Sequence, residues 1–417
     1  MTRRVPLKHV LAVFVGNGLE FYDFLTFSYF SVYISRTFFP LDDRNLSLLA
    51  TLATFGVGFL MRPVGAVVLG TMGDTKGRKP AMLLTFALMG AAILGLALTP
   101  SYAQIGIAAP VIVILLRLLQ GFALGGEVGP STAFMAEAAP EERRGFYLSL
   151  QYTTQDAATL VAGLVGLALA SRLSDAELTE WGWRAAMLIG VSIVPFGLWA
   201  RRNLPETLET PTPRGTALAM ARPYRRLIAL GLVMLTAGTV GSYTIGYMTT
   251  YALDTLKLPA QVSFGVTIVS GLSFIISQTL AGWWCDLYGR KPVMIVPGVL
   301  LLLSIFPGFA LIEHYRTAEV LYAAQFVMVF FAGASSVPAI VAITELLPKP
   351  IRSGAVATVY ALAISIFGGS TQFVIKGLLW LTHNNPLAPA WYWAGAMAIG
   401  LAAMALMPES APVKTRR

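Results

Sequence analysis

Apolar runs of about 20 residues or more, separated by short polar segments, recur from one end of the chain to the other. Twelve can be drawn, at 9–36, 46–73, 80–99, 105–137, 145–170, 184–202, 227–253, 259–284, 291–312, 317–346, 353–381 and 389–407. A helix rising 1.5 Å per residue needs about 20 residues to cross roughly 30 Å of hydrocarbon. The runs are too long for barrel strands and lack their alternation, so the pattern predicts an all-α polytopic membrane protein.

Composition agrees: 56% of residues are hydrophobic and only 12% charged, and the mean hydropathy is +0.68. The net charge of +9 would suit a nucleic-acid binder, but its distribution argues against that. About 21 of the 30 Lys and Arg fall on the N-terminus, the C-terminal tail and every second loop, and about six on the opposite loops. This asymmetry predicts that both termini are cytoplasmic, and it accounts for the basic excess without nucleic acid. Glu20 and Asp23 interrupt the first apolar run, which reads as a retained helix and not as a signal peptide. One cysteine, Cys285, allows no intrachain disulfide, and His9, His314 and His383 are far apart near run ends, so no metal or cofactor is expected.

The polar segments repeat. GTMGDTKGRKP at 70–80 returns as GWWCDLYGRKP at 282–292, which sets Asp74 and Arg78 against Asp286 and Arg290. Glu137, Pro140 and Arg144 return as Glu345, Pro348 and Arg352, and LPET at 204–207 as MPES at 407–410. The chain therefore reads as a duplicated six-helix unit: a first bundle over 1–202, a linker over 203–226 and a second bundle over 227–417.

The repeated Asp and Gly-Arg-Lys turns resemble those of the major facilitator superfamily, and the likeness spans the chain. GNGLEFYDF at 16–24, FLMRPVG at 59–65, RLLQGFALGGEVG at 117–129, PEERRGFY at 140–147 and EWGWR at 180–184 are similar to the metabolite:proton symporter family. YISRTFFP at 33–40, IGIAAP at 105–110, ITELLP at 343–348 and IFGGSTQ at 366–372 look closest to its citrate and tricarballylate transporters. The resemblance implies two pseudo-symmetric six-helix bundles that alternate access to a central site. It also implies an importer in the bacterial inner membrane that moves a small organic carboxylate, citrate or a related di- or tricarboxylate, with a proton and is complete as a monomer; the alternatives are a same-fold symporter of a 2-oxo acid, shikimate, an aromatic acid or betaine and proline, or a proton-independent uniporter or exchanger. Asp74, Arg78, Asp286 and Arg290 are by that likeness gating residues.

Ionisable groups inside spans are costly and face a cavity or a partner. Asn17, Glu20 and Asp23 share a face of the first span. Arg117, Gln120 and Glu127 share a stripe of the fourth, with Arg117 and Glu127 about 15 Å apart along the axis. Gln151 and Gln155 are one turn apart on the fifth span, from which Asp156 is expected to point elsewhere, and Gln372 and Lys376 one turn apart on the eleventh. Arg117 and Lys376, one from each half, are the candidate contacts for substrate carboxylates, because a guanidinium can pair a carboxylate through two parallel hydrogen bonds. Asn17, Tyr22, Gln120, Gln151, Gln155 and Gln372 are candidates for the remaining substrate oxygens. Asp23, Glu127 and Glu20 are the candidates for carrying the proton, since burial raises a carboxyl's proton affinity. Arg62, before Pro63, and the pairs Glu137 with Arg144 and Glu345 with Arg352 are expected to be structural. No nucleophile elbow, phosphate loop or His–carboxylate cluster supports an enzyme.

Overall fold

The structure, a computed structural model, describes residues 18, 21–22, 25–76, 78–125, 139–202 and 222–415. In the first half the helices are α1 (Ser31–Phe38), α2 (Arg44–Leu60), α3 (Arg62–Lys76), α4 (Arg78–Leu98), α5 (Ala108–Leu124), α6 (Arg144–Ala170) and α7 (Trp183–Arg202). The second half has α8 (Arg225–Thr250), α9 (Ala260–Tyr288), α10 (Arg290–Tyr315), α11 (Ala318–Leu346), α12 (Lys349–Ala363), α13 (Gly369–Leu381) and α14 (Ala388–Leu406). Short helical turns fill several of the connections. Among the described residues eight helices are long and apolar enough to cross a membrane, and Leu83–Leu98 and Ala108–Leu124 are shorter apolar helices. Most of the expected linker lies outside the described residues, as does the end of the fourth span.

Some predicted spans are interrupted. α2 and α3 are separated at Met61, two residues before Pro63, which has no N–H to give to a continuous ladder. The Gly65 N–H still reaches Met61 O at 2.9 Å, so the two pieces stay stacked. α12 and α13 are joined by a wide π turn, Ile364–Gly368. Where α9 gives way to α10, Gly289 has φ +100°, a conformation that side chains strain against; the glycine of the second repeated turn is needed there.

Burial falls into two apolar clusters. One is drawn almost wholly from the first half, around Phe27, Tyr33, Phe55, Ile93 and Trp183. The other is drawn mainly from the second, around Tyr247, Met294, Phe309, Val341 and Trp393. The halves meet mainly along α6 with α9 and along α2 with α13. At the second seam a side chain on Gly56 would run into the carbonyl of Gly369, so the backbones approach without one.

Candidate functional site

A cavity of about 170 Å³ lies between the halves. The first half lines it with Phe21, Leu25 and Tyr29 and with Tyr152, Gln155, Asp156 and Thr159 of α6. The second half adds Tyr243 of α8, Ser270 and Gln278 of α9, Tyr360 of α12, Gln372 of α13 and Trp393 of α14. Three buried polar atoms of these side chains have no hydrogen-bond partner among the described residues: Gln278 Oε1, Gln372 Nε2 and Trp393 Nε1. Buried polar atoms are rarely left so, and here two donors and an acceptor are available to a bound molecule.

Of the residues expected from sequence to touch substrate, Gln155 and Gln372 line the cavity. Gln372 Oε1 accepts from Ser28 Oγ at 2.8 Å, a bond between the halves. Gln151 is buried one turn away on α6. Tyr22 turns to α7 instead, its hydroxyl donating to Ala186 O at 3.0 Å. Arg117 is fully buried on α5 and does not line the cavity. Its guanidinium carbon is 4.4 Å from the centre of the Phe27 ring and 5.0 Å from that of Phe55, and the group donates to Gln120 Oε1. Arg62 stacks in the same way on Phe59, at 4.4 Å. Phe55 and Phe59 in turn contact the cavity residue Tyr243. Each arginine is thus one aromatic ring removed from the cavity wall.

Asp156 corrects the sequence expectation. It was expected to point away from the Gln151 and Gln155 face, yet it lines the cavity beside Gln155 and is in hydrogen-bonding range of Gln278 from the other half. Neighbouring residues on a helix differ by about 100°, and a helix flanking a space between two bundles presents more than one stripe to it. Asn17, Glu20, Asp23, Glu127 and Glu137 lie outside the described residues, as do the side chains of Asp74, Arg78 and Arg352.

Bridges join the halves at both ends of the cavity. At the end carrying the repeated turns, Asp286 accepts from the backbone N–H groups of Gly145 and Phe146, each at 2.9 Å. These are orphan donors of the first turn of α6, so a carboxylate from one half caps a helix of the other. Arg290 holds Asp286 at 3.0 Å and forks onto Glu345 at 2.8 and 3.1 Å. Glu345 meets Arg290 because helix packing brings the start of α10 beside the end of α11; its expected partner Arg352 has its side chain outside the described residues. Glu409, from the MPES echo, accepts from the N–H groups of Arg290 and Lys291 and caps α10.

At the opposite end Lys376 is only 2% exposed. Its Nζ lies 2.6 Å from Asp254 Oδ2 of its own half and 2.8 Å from Asn45 Oδ1 of the other. Arg44 reaches Asp254 at 3.4 Å from the first half, and Ser31 bonds Thr250 at 3.0 Å. Lys376 is held in this bridge and does not line the cavity. Asp254 and Asn45 were not anticipated; Asn45, two residues after the Asp43 cap of α2, carries no pattern that singles it out.

Residues 8–208 match the family model described as Sugar (and other) transporter, and residues 259–417 that described as Major Facilitator Superfamily. A citrate-proton symporter of Salmonella typhi is 36% identical over 95% of this chain and 93% of its own. The chain belongs to the major facilitator superfamily. Within it the relatives fit the metabolite:proton symporter family. The alpha-ketoglutarate permease of Escherichia coli (strain K12) is 34% identical over 91% of this chain and 88% of its own. A putative proline/betaine transporter of Staphylococcus aureus (strain COL) is 32% identical over 94% and 86%. The crystal structure of a D-xylose-proton symporter superposes with a TM-score of 0.76 over 99% of both chains at 20% identity, a likeness of major facilitator fold alone. This superfamily member is a multi-pass membrane transporter and not an enzyme.

Proposed function

We propose that the protein is a proton-coupled importer of a small organic carboxylate, with citrate or a related di- or tricarboxylate as its substrate. The supporting observation is that Gln372 Nε2 and Trp393 Nε1 are unpartnered donors on the wall of the interhalf cavity, in a chain whose relatives at 36% and 34% identity are named for citrate and alpha-ketoglutarate. Arg117 serves the substrate carboxylate when Phe55 turns aside, with Gln120, Gln151, Gln155, Tyr22 and Asn17 as further polar partners. Lys376 contributes through the bridge to Asp254 and Asn45: a substrate that competes for it loosens one end of the cavity.

In this reading Asp74 and Arg78 latch the turn-bearing end together with Asp286 and Arg290, and Arg62, Glu137, Arg144, Glu345 and Arg352 are structural. A first-half carboxylate carries the proton, with Asp23, Glu127 and Glu20 suggested by the sequence. The termini are cytoplasmic, the membrane is the bacterial inner membrane, and one chain suffices. A second reading is favoured by the cavity itself, where among the described residues a single carboxylate stands with Tyr29, Tyr152, Tyr243, Tyr360 and Trp393. Aromatic faces with one anion suit a quaternary ammonium, and one relative is named for proline and betaine.

Uptake of radiolabelled citrate into proteoliposomes decides between them. With an inward proton gradient, uptake is expected to be abolished by a protonophore and competed by alpha-ketoglutarate and tricarballylate but not by betaine. Competition by betaine alone favours the second reading, and uptake indifferent to the gradient rejects proton coupling.

A further inference from the structure

We propose that Asp156 carries the coupled proton, and that an anionic substrate occupies the central cavity only after Asp156 has been protonated. The inference deepens the carboxylate reading and rests on it. Among the described lining residues Asp156 is the one acidic side chain, and no Lys, Arg or His lines the cavity with it. Facing it are Tyr152 of its own helix, Tyr29 of the first span, Tyr360 of α12 and Gln278 of α9. Arg62 and Arg117 are stacked on Phe59 and Phe55 and do not line the cavity. No described residue forms an ion pair with Asp156 in this arrangement of the halves.

A carboxylate so placed is in conflict with the cargo. Two like charges about 5 Å apart, at an effective dielectric of about 20, oppose each other enough to cost more than a hundredfold in affinity. Protonation removes that repulsion and converts Asp156 from an acceptor into a donor for a substrate oxygen. The step is a simple proton transfer: an O–H bond forms on the Asp156 carboxylate with a proton from water on the side of uptake. It breaks to water on the other side once the anion has left. Linkage makes the effect reciprocal, so bound anion holds the proton and bound proton holds the anion.

Asp156 also stands where such a group must stand. α6 and α9 form the main seam between the halves, and the Asp156 partner Gln278 belongs to the opposite half. Any rocking of one bundle on the other changes that hydrogen bond and the water that reaches the carboxyl. Gln278 Oε1, without a partner among the described residues, is positioned to accept from the protonated acid after a turn of its amide.

The test uses the whole protein in proteoliposomes, with radiolabelled citrate and alpha-ketoglutarate as probes. Asp156→Asn mimics the protonated acid. It is expected to keep exchange of internal for external substrate, to lose the pH dependence of that exchange, and to lose gradient-driven accumulation by at least tenfold; Asp156→Glu is expected to restore accumulation in part. An Asn variant that accumulates substrate as the parent does, or whose exchange keeps the parent's pH dependence, overturns the proposal while leaving the carboxylate reading intact. Should the parent move neither probe, that reading fails, and infrared pH-difference spectra of the substrate-free protein still decide on Asp156. The parent is expected to show a carboxylic C=O band that responds to pH, shifts in Asp156→Glu and is missing in Asp156→Asn. If no band of the parent answers to both substitutions, Asp156 is not the proton site. The Glu variant keeps this measurement available if the Asn variant does not fold.

Discussion

Asp286 Oδ1 lies 2.9 Å from the backbone nitrogen of Gly145, so a carboxylate of the second half caps the first turn of a helix in the first half. Next to it Cys285 is buried, and a side chain on Gly145 would run into its sulfur. The same seam that holds the turn-bearing end together thus hides the chain's single thiol.

This makes Cys285 a built-in reporter. Asp286→Ala removes the charge-assisted hydrogen bonds from the Gly145 and Phe146 N–H groups and from Arg290, each worth about 1.5–3 kcal/mol, and is expected to raise the rate of maleimide labelling of Cys285 by at least tenfold while slowing transport. Unchanged labelling would mean that other contacts along α6 and α9 suffice to keep this end shut.

The opposite end gives a complementary prediction. Lys376→Ala leaves Asp254, 5% exposed, with the exposed Arg44 and Lys257 as its remaining cations among the described residues. Breaking a buried pair costs about 3 kcal/mol or more, so the melting temperature in detergent is expected to fall. The double variant Lys376→Met with Asp254→Asn is expected to regain much of it. A double variant as unstable as Lys376→Ala would mean that the loss comes from packing and not from an unpaired carboxylate.

Arg117 is held by two ring faces and by Gln120. Lysine keeps the charge but not the planar stacking. Losing one of the two parallel hydrogen bonds to a substrate carboxylate, worth about 1.5–3 kcal/mol, Arg117→Lys is expected to raise the KM for citrate at least tenfold. A KM equal to the parent's would remove Arg117 from the substrate path.

Glu409 sets an acid limit. Burial works against its charge, but the N–H groups of Ala411, Lys291, Arg290 and Ser410 outweigh it and hold its carboxyl below the ordinary 4.5. A depressed pKa contributes stability that is present above that ordinary value and is lost as the pH falls through the lower folded one. The melting temperature of the parent is therefore expected to exceed that of Glu409→Gln at neutral pH, with the difference shrinking below about pH 4.5. A difference that is constant with pH would remove the charge from the explanation.

The sequence by itself determined the membrane class, the run of apolar helices, the duplication and the two charged turns, because a bilayer imposes length and polarity on each span separately. Those signals are local, and they are legible one segment at a time. It also picked out Gln155, Gln372, Asp286 and Arg290 as residues of consequence, since polar groups are rare in such a chain. What only the tertiary structure decided is which polar groups share a space. Lys376 belongs with Asp254 and Asn45, Glu345 with Arg290, and Arg117 behind Phe55; each of these pairings joins spans distant in sequence. Asp156 is the clearest case. Helical periodicity gives the angle between neighbours on one helix, but whether that angle opens onto lipid, a packed seam or a cavity depends on where the other bundle lies.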